Sequence, residues 1–186
     1  MPVHVVLTTG YRGVPGEVGA LPPNFTHAAY LPGLAMAERC DLMVHHGGHG
    51  SGMTGLQAGT PAVIVPTITE RENNARRLVA LGAGEIVIPV TRADGEKTID
   101  AVEFGAAVNR VLKDEAYRHS AKRVSESMRQ YAGAKGVADQ VEQFAAGISR
   151  RPLAAARQKK SDRGREVHIL GSSKTEPILN LAVQSR

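Results

Sequence analysis

Short apolar segments alternate, along the first ninety residues, with longer segments in which apolar positions recur every three or four residues. The short segments predict buried strands at 3–10, 25–31, 41–46, 61–66 and 85–89. The longer segments predict helices at 33–40, 50–58, 70–84, 99–113, 115–131 and 136–147. This alternation is typical of the α/β class, with a Rossmann-like parallel sheet and helices on both faces.

Apolar spacing and glycines also predict which residues pack inward and where helices end. Leu56 is expected to anchor its helix, which Gly59 and Pro61 end. In the helix at 70–84, a glycine stop is expected at Gly82. The residues of that helix expected to face the core are Ala75, Leu78, Val79 and Leu81.

The periodic pattern ends near residue 149, which divides the chain into a domain at 1–149 and a tail at 150–186. The tail holds nine Lys/Arg and three Asp/Glu, a net charge of +6, and leaves the domain with 14 basic and 15 acidic groups, so the net charge of +5 of the chain comes from the tail. We predict a mostly disordered, solvated appendage. A tail that binds nucleic acid or a membrane is the less favoured alternative.

Cysteine usage indicates the cellular compartment expected for the protein, and hydropathy argues against a membrane span. Cys40 is the single cysteine, so no intramolecular disulfide forms, and we expect a small buried side chain there. With no signal-peptide pattern, the expected location is the cytoplasm. The longest apolar stretches fall far short of the roughly 18 residues that cross a bilayer.

The segment 45–55, "HHGGHGSGMTG", follows a predicted strand and suggests several kinds of site. It matches a P-loop in spacing, but Met53 stands where lysine must reach the phosphates. It contains G-x-G-x-x-G at 50–55, but too far after the strand for a dinucleotide fold. Zinc is disfavoured because His45, His46 and His49 offer at most three ligands, and the first two point apart in a strand.

A glycine-rich turn between a strand and a helix start is a general anion site, because backbone N–H groups and the helix dipole meet there. Ser51 and an imidazole at the strand end could add hydrogen bonds to a diphosphate. A tight turn without a ligand is the alternative.

The order of landmarks resembles the donor-binding signature of family 1 glycosyltransferases, the UDP-glycosyltransferase superfamily, most closely its bacterial macrolide and natural-product branch. The landmarks are an aromatic-x-Pro, a His-Gly-Gly-x-Gly-Ser/Thr loop, Gly-x-Pro, an Asp-Gln or similar pair, and Asn-Ala-Arg. They fall at 30–32, 46–51, 59–61, 70–71 and 74–76. The resemblance implies the C-terminal, donor-binding half of a GT-B glycosyltransferase.

The resemblance also implies roles for individual residues. Tyr30 would stack on the nucleotide base, and His46 would hydrogen-bond the diphosphate and stabilise the leaving nucleotide, with His45 and His49 as bystanders. The phosphate-holding loop would comprise Gly47, Gly48, Gly50 and Ser51. The positions matching ribose and sugar contacts would be Thr54, Glu70 and Arg71, and Asn74 would match the Asn-Ala landmark of the donor site. A rim tyrosine at Tyr30 and a solvated helix start at Glu70 are the structural alternatives, and Asn74 could serve only capping and packing.

Two of these positions depart from the family pattern. Thr54 stands where many members have a glutamate that holds the ribose, which makes a dTDP-sugar donor a hypothesis beside a UDP-sugar. Arg71 replaces the family's glutamine and leaves the sugar specificity open.

The resemblance further implies that the domain at 1–149 is N-terminally incomplete and that the acceptor domain, with its catalytic histidine, lies elsewhere. His4 and His27 lie outside the context needed to replace that base. The first hypothesis is the donor half of an inverting, metal-independent hexosyltransferase without a cofactor, partnered by a separate acceptor-binding chain. The second is a nucleotide-sugar binding module without turnover, and a sugar-nucleotide epimerase fits the fold but not the loop.

Overall fold

The computed structural model describes residues 3–10, 19–148 and 180–185, in two compact units. The first unit takes in residues 1–129 and 177–186 and contains the sheet and the candidate site. The second unit, residues 130–176, contains one described helix, α6 (Gly133–Ile148). None of the described helices is both long enough and apolar enough to span a membrane.

A six-stranded sheet forms the centre of the first unit, in the order β2-β1-β8-β3-β4-β5. Its strands are β1 (Val3–Thr8), β2 (Phe25–Ala28), β3 (Leu42–His45), β4 (Ala62–Ile64), β5 (Gly84–Ile86) and β8 (Asn180–Ser185). β1 pairs with β2, β3 with β4, and β4 with β5 in parallel. β8 runs antiparallel to both of its neighbours.

Helices cover both faces of this sheet, because alternate residues of its strands are buried on opposite sides. The helices are α1 (Gly33–Ala37), α2 (His49–Ala58), α3 (Thr69–Ala80), α4 (Ala101–Lys113) and α5 (Glu115–Met128). Met43 and Ile64 pack with residues of α2, α3 and α5, whereas Val44 and Val63 pack with α4. The predicted α/β class, with a parallel sheet and flanking helices, is confirmed.

Local chemistry explains where several helices begin and end. The carboxylate of Asp100 accepts hydrogen bonds from two amides at the start of α4, and that of Asp114 caps α5 in the same way. Gly59 ends α2 in the left-handed conformation, at φ 73°. Gly82 follows α3 at φ 70°, as the glycine stop predicted.

A hydrogen-bonded cluster ties β5 to the helices on one face. The Glu85 carboxylate accepts hydrogen bonds from Arg110 of α4, at 2.6 Å, and from the hydroxyl of Tyr117 of α5, at 2.7 Å. The bond from Arg110 is the main reason why the pKa of Glu85 lies below its usual value. Side-chain bonding thus adds to the apolar packing of α4 and α5.

The structure departs from the predictions in three places. Ala75, Leu78 and Leu56 are buried as expected, but Val79 and Leu81 lie at the end of α3 and are 37% and 47% exposed. A small hairpin of β6 (Val90–Thr91) and β7 (Lys97–Thr98) was not anticipated. Residues 180–185, predicted to belong to a disordered tail, form a strand in the middle of the sheet. The rest of that tail, 150–179 and 186, lies outside the described residues.

Candidate functional site

A cleft of about 500 Å³ opens at the carboxyl ends of β1 and β3. This edge is where parallel α/β sheets place their ligands, since the loops and helix starts that follow the strands converge there. The cleft is lined by Thr8, Gly10, Tyr30, Leu31, Gly33, Met36, Ala37, Met43, His46, Gly48, Gly50, Ser51 and Thr54. Six of the ten predicted site residues therefore share one cavity.

The loop after β3 makes a sharp turn that only glycine accommodates. Gly47 has φ +86°, which disfavours any residue with a side chain. A Cβ added there would lie 2.6 Å from the carbonyl oxygen of Arg71, so the loop packs directly on the backbone of α3. Gly47 is buried beneath the loop and does not line the cleft.

The imidazole of His46 lies against the next glycine. A Cβ added to Gly48 would be 2.5 Å from His46 Nε2, closer than real side chains approach. Glycine at 48 therefore leaves the space that the ring occupies, and both residues line the cleft. This arrangement places an imidazole nitrogen beside the backbone amides that follow it.

The first turn of α2 presents its amides to the cleft. Gly48 is the N-cap and has no side chain to accept from the turn, while its carbonyl accepts the bond from the Gly52 amide at 3.1 Å. A Cβ on Gly50 would meet nothing within 4 Å, so the space in front of this turn is open. Uncapped amides at a helix start attract anions, and Ser51 adds a hydroxyl.

His45 lies beneath the loop, with 2% of its surface exposed. Its Nδ1 accepts a hydrogen bond from the Gly47 amide at 3.1 Å, which requires the neutral ring to carry its proton on Nε2. Nε2 is buried and has no partner among the described residues. Burial, and then the neighbouring His46, lower the pKa of His45 to about 4.

The start of α3 contacts the loop from the other side. Asn74 Nδ2 donates to the Gly47 carbonyl at 3.1 Å and to Glu70 Oε1 at 2.6 Å. Arg71 donates to the hydroxyl of Thr67. Glu70, Arg71 and Asn74 thus lie beside the loop on α3 but are not part of the cleft lining.

The opposite wall of the cleft contains residues that were not predicted from the sequence. Thr8 and Gly10 follow β1, and the rule that ligands bind at the carboxyl ends of parallel strands could have found them. Met36 of α1 and Met43 of β3 form an apolar floor. Tyr30 lines the cleft and is 56% exposed, so its aromatic side chain is partly accessible from the cleft.

Two further histidines, on β1 and β2, contact threonine hydroxyls. His27 Nε2 lies 3.0 Å from the hydroxyl of Thr9, and His4 Nε2 lies 3.0 Å from that of Thr26. Within the described ranges, no three His, Cys, Asp or Glu side chains come together as a metal site.

Comparison with known proteins identifies the family. Residues 3–150 match the model of the erythromycin biosynthesis protein CIII-like C-terminal domain. A curated relative, the NDP-glycosyltransferase YjiC of Bacillus subtilis (strain 168), is 30% identical over 141 residues, which are 76% of this chain and 34% of that protein. The match therefore spans about a third of the relative's length.

Solved structures agree with this match. The glycosyltransferase of kitacinnamycin has a TM-score of 0.63 at 31% identity, over 75% of this chain and 34% of its own. SsfS6 of Streptomyces sp. SF2575, solved with thymidine diphosphate, has a TM-score of 0.54 at 32% identity, over 66% of this chain and 30% of its own. The chain thus has the fold of the C-terminal half of a GT-B enzyme, and it belongs to the family 1 glycosyltransferases as an erythromycin CIII-like C-terminal domain.

Proposed function

We propose that this chain is the donor-binding half of an inverting glycosyltransferase, which transfers a hexose from a nucleoside diphosphate to a hydroxyl acceptor. The observation that supports the proposal is the meeting, in one cleft, of Tyr30, the His46 imidazole and the uncapped start of α2. These groups come from different segments of the chain. Together they offer a stacking surface, a hydrogen-bond donor and an anion site.

In this proposal the diphosphate lies against the first turn of α2. The acceptor oxygen attacks the anomeric carbon, the bond from that carbon to the diphosphate oxygen breaks, and the departing oxygen gains negative charge. His46 and the amides near Gly48 and Gly50 stabilise this charge, because they are fixed in place before the reaction. The helix dipole and a hydrogen bond donated by the imidazole stabilise the charge, so the mechanism invokes no metal ion.

The nucleoside would extend from the diphosphate toward the rim. Tyr30 would stack on the base, and Thr54, one turn into α2, would face the ribose. A threonine makes fewer ribose contacts than a carboxylate, so we propose a dTDP-sugar donor in preference to a UDP-sugar. The thymidine diphosphate in SsfS6 supports this class of donor.

The sugar would lie near the start of α3. Glu70 and Asn74 already hold each other there, and Arg71 is the third polar group of that turn. We propose that Glu70 and Arg71 contact sugar hydroxyls, while Asn74 holds the loop. A guanidinium in place of the family's carboxamide would give this chain its own choice of sugar.

Transfer also requires a base to take the proton of the acceptor hydroxyl. His4 is hydrogen-bonded to Thr26 of β2 and His27 to Thr9, which follows β1, and neither histidine lines the cleft. We therefore propose that the base comes from an acceptor-binding domain, on a separate chain or in a longer form of this protein. The second candidate function is a nucleotide-sugar binding module without turnover.

Calorimetry with the whole chain tests the proposal. We expect dTDP to bind more tightly than UDP, and both to bind far more tightly than thymidine or uridine, which lack the diphosphate. Failure of both diphosphates to bind would refute a donor site, and a clear preference for UDP would refute only the dTDP assignment. Release of hexose from a dTDP-hexose by the purified chain would contradict the second candidate.

A further inference from the structure

The strand β8 occupies an unusual place in the sheet. It lies between β1 and β3 and is antiparallel to both, whereas β1 with β2, β3 with β4, and β4 with β5 are parallel. Six residues pair with β1, from Val3 with Ser185 to Thr8 with Asn180. Three residues pair with β3, from Leu42 with Val183 to Val44 with Leu181.

This strand lies outside the family domain. The family model matches residues 3–150, so the matched region supplies β1 and β3 but not the strand that separates them. In the order of this sheet, β1 and β3 have no direct pairing, and β8 is the strand that joins them.

The two walls of the candidate cleft come from the two strands that β8 separates. Thr8 and Gly10 line it from the end of β1, whereas Met43, His46 and Gly48 line it from β3 and its loop. Adjacent strands lie about 4.8 Å apart, so the backbones of two strands separated by a third cannot hydrogen-bond to each other directly. Asn180 pairs with Thr8, which places the first residue of β8 at the cleft edge.

We propose that β8 is a positioning element of the donor site, which holds the Thr8 wall at a fixed distance and level relative to the His46 wall. The proposal rests on the proposed function for its ligand. Its physical basis is that β8 satisfies backbone groups on both neighbours, which would otherwise be left unpaired in the middle of the sheet. Without β8, β1 and β2 would be free to move away from the loop that holds the diphosphate.

A proline substitution tests this role in the whole chain. Ala182 pairs with Val6 on one side and Met43 on the other, and proline there removes a ladder donor in a central strand. For Ala182→Pro we expect faster amide exchange in β1 and β3 and at least a tenfold loss of dTDP affinity. Ala155→Pro is the matched control, at an alanine of the same tail outside β8. It should leave amide exchange and dTDP affinity unchanged.

A disulfide gives a second test that does not depend on a destabilised variant. Opposed residues of an antiparallel pair lie about 4.5 to 5.5 Å apart at Cα, within the range of a disulfide. We expect Val6→Cys with Ala182→Cys to crosslink on mild oxidation and to retain dTDP affinity. Thr26→Cys with Ala182→Cys should not crosslink, because Thr26 lies on β2, beyond β1.

The outcomes separate the two proposals. Absence of the Val6 to Ala182 crosslink, or a folded Ala182→Pro variant with unchanged dTDP affinity, would overturn the role of β8. If the unmodified chain binds neither dTDP nor UDP, the proposed function fails, whereas the crosslink and the exchange data still report on the strand.

Discussion

The Asn74 side chain donates to the Gly47 carbonyl at 3.1 Å, and so connects the start of α3 to the loop that follows β3. The same amide group contacts Glu70 at 2.6 Å. One carboxamide thus links a buried turn to an exposed carboxylate, and the position of the loop depends on both.

Replacing Asn74 by alanine should loosen this loop. We expect Asn74→Ala to lower the free energy of unfolding by about 0.5 to 1.5 kcal/mol, the net contribution of a hydrogen bond, and to weaken nucleoside diphosphate binding. Denaturant unfolding and calorimetry measure the two effects. Asn73→Ala is the matched control, because Asn73 is the adjacent residue and its side chain is exposed. Equal effects in both variants would contradict a specific role for Asn74.

His46 is expected to carry most of the side-chain contribution to diphosphate binding. His46→Ala should weaken dTDP binding by about 1 to 3 kcal/mol, because a hydrogen bond to a charged oxygen is lost. His49→Ala removes an exposed imidazole that does not line the cleft, and should bind as the unmodified chain does. Unchanged affinity of His46→Ala in calorimetry would remove His46 from the site.

Gly47 should tolerate no side chain. Gly47→Ala puts a methyl group 2.6 Å from the Arg71 carbonyl at a positive φ, and we expect a loss of stability of about 1 to 3 kcal/mol or more. Gly50→Ala is the control: its Cβ meets open space within α2, where alanine should raise stability by up to about 1 kcal/mol. Thermal unfolding distinguishes them, and a stable Gly47→Ala variant would mean that the turn is shaped differently.

The buried imidazole of His45 should make stability depend on pH. Its pKa is lowered to about 4 in the folded chain, whereas an unfolded histidine titrates near 6.5. Between these values the unfolded state binds more protons, so stability falls as pH falls, by up to about 1.4 kcal/mol per pH unit.

The variant His45→Asn should flatten that dependence. Its carboxamide oxygen can still accept from the Gly47 amide but does not titrate, so the slope of unfolding free energy between pH 6.5 and 4 should decrease. His119→Asn, an exposed histidine of α5, is the control. If both variants keep the slope of the unmodified chain, another group causes it.

The sequence predicted the part of the site that local rules govern. Leu42, Met43 and Val44 are apolar and buried, and the glycines after the strand leave few conformations for the turn, so strand, loop and helix start followed directly. Burial near the C-terminal end of α3 was harder to predict from the sequence. Val79 and Leu81 are apolar and lie between the buried Leu78 and Ala83, but both side chains are more than a third exposed.

Long-range pairing was not accessible from the sequence. The strands β6 and β7 have two residues each, too few for a period to show. β8 joins β1 across most of the chain, and no local pattern encodes a partner at that separation. The role of His45 also escaped prediction, because its contact with Gly47 depends on the loop turning back over the strand.

The central position of β8 has a consequence for biosynthesis. A ribosome makes β1 early and residues 180–185 only after α6, so the two halves of the sheet must wait for the strand between them. During that interval the facing edges of β1 and β3 are open to any extended segment. Until β8 is made, pairing of these edges with another extended segment should therefore compete with native folding.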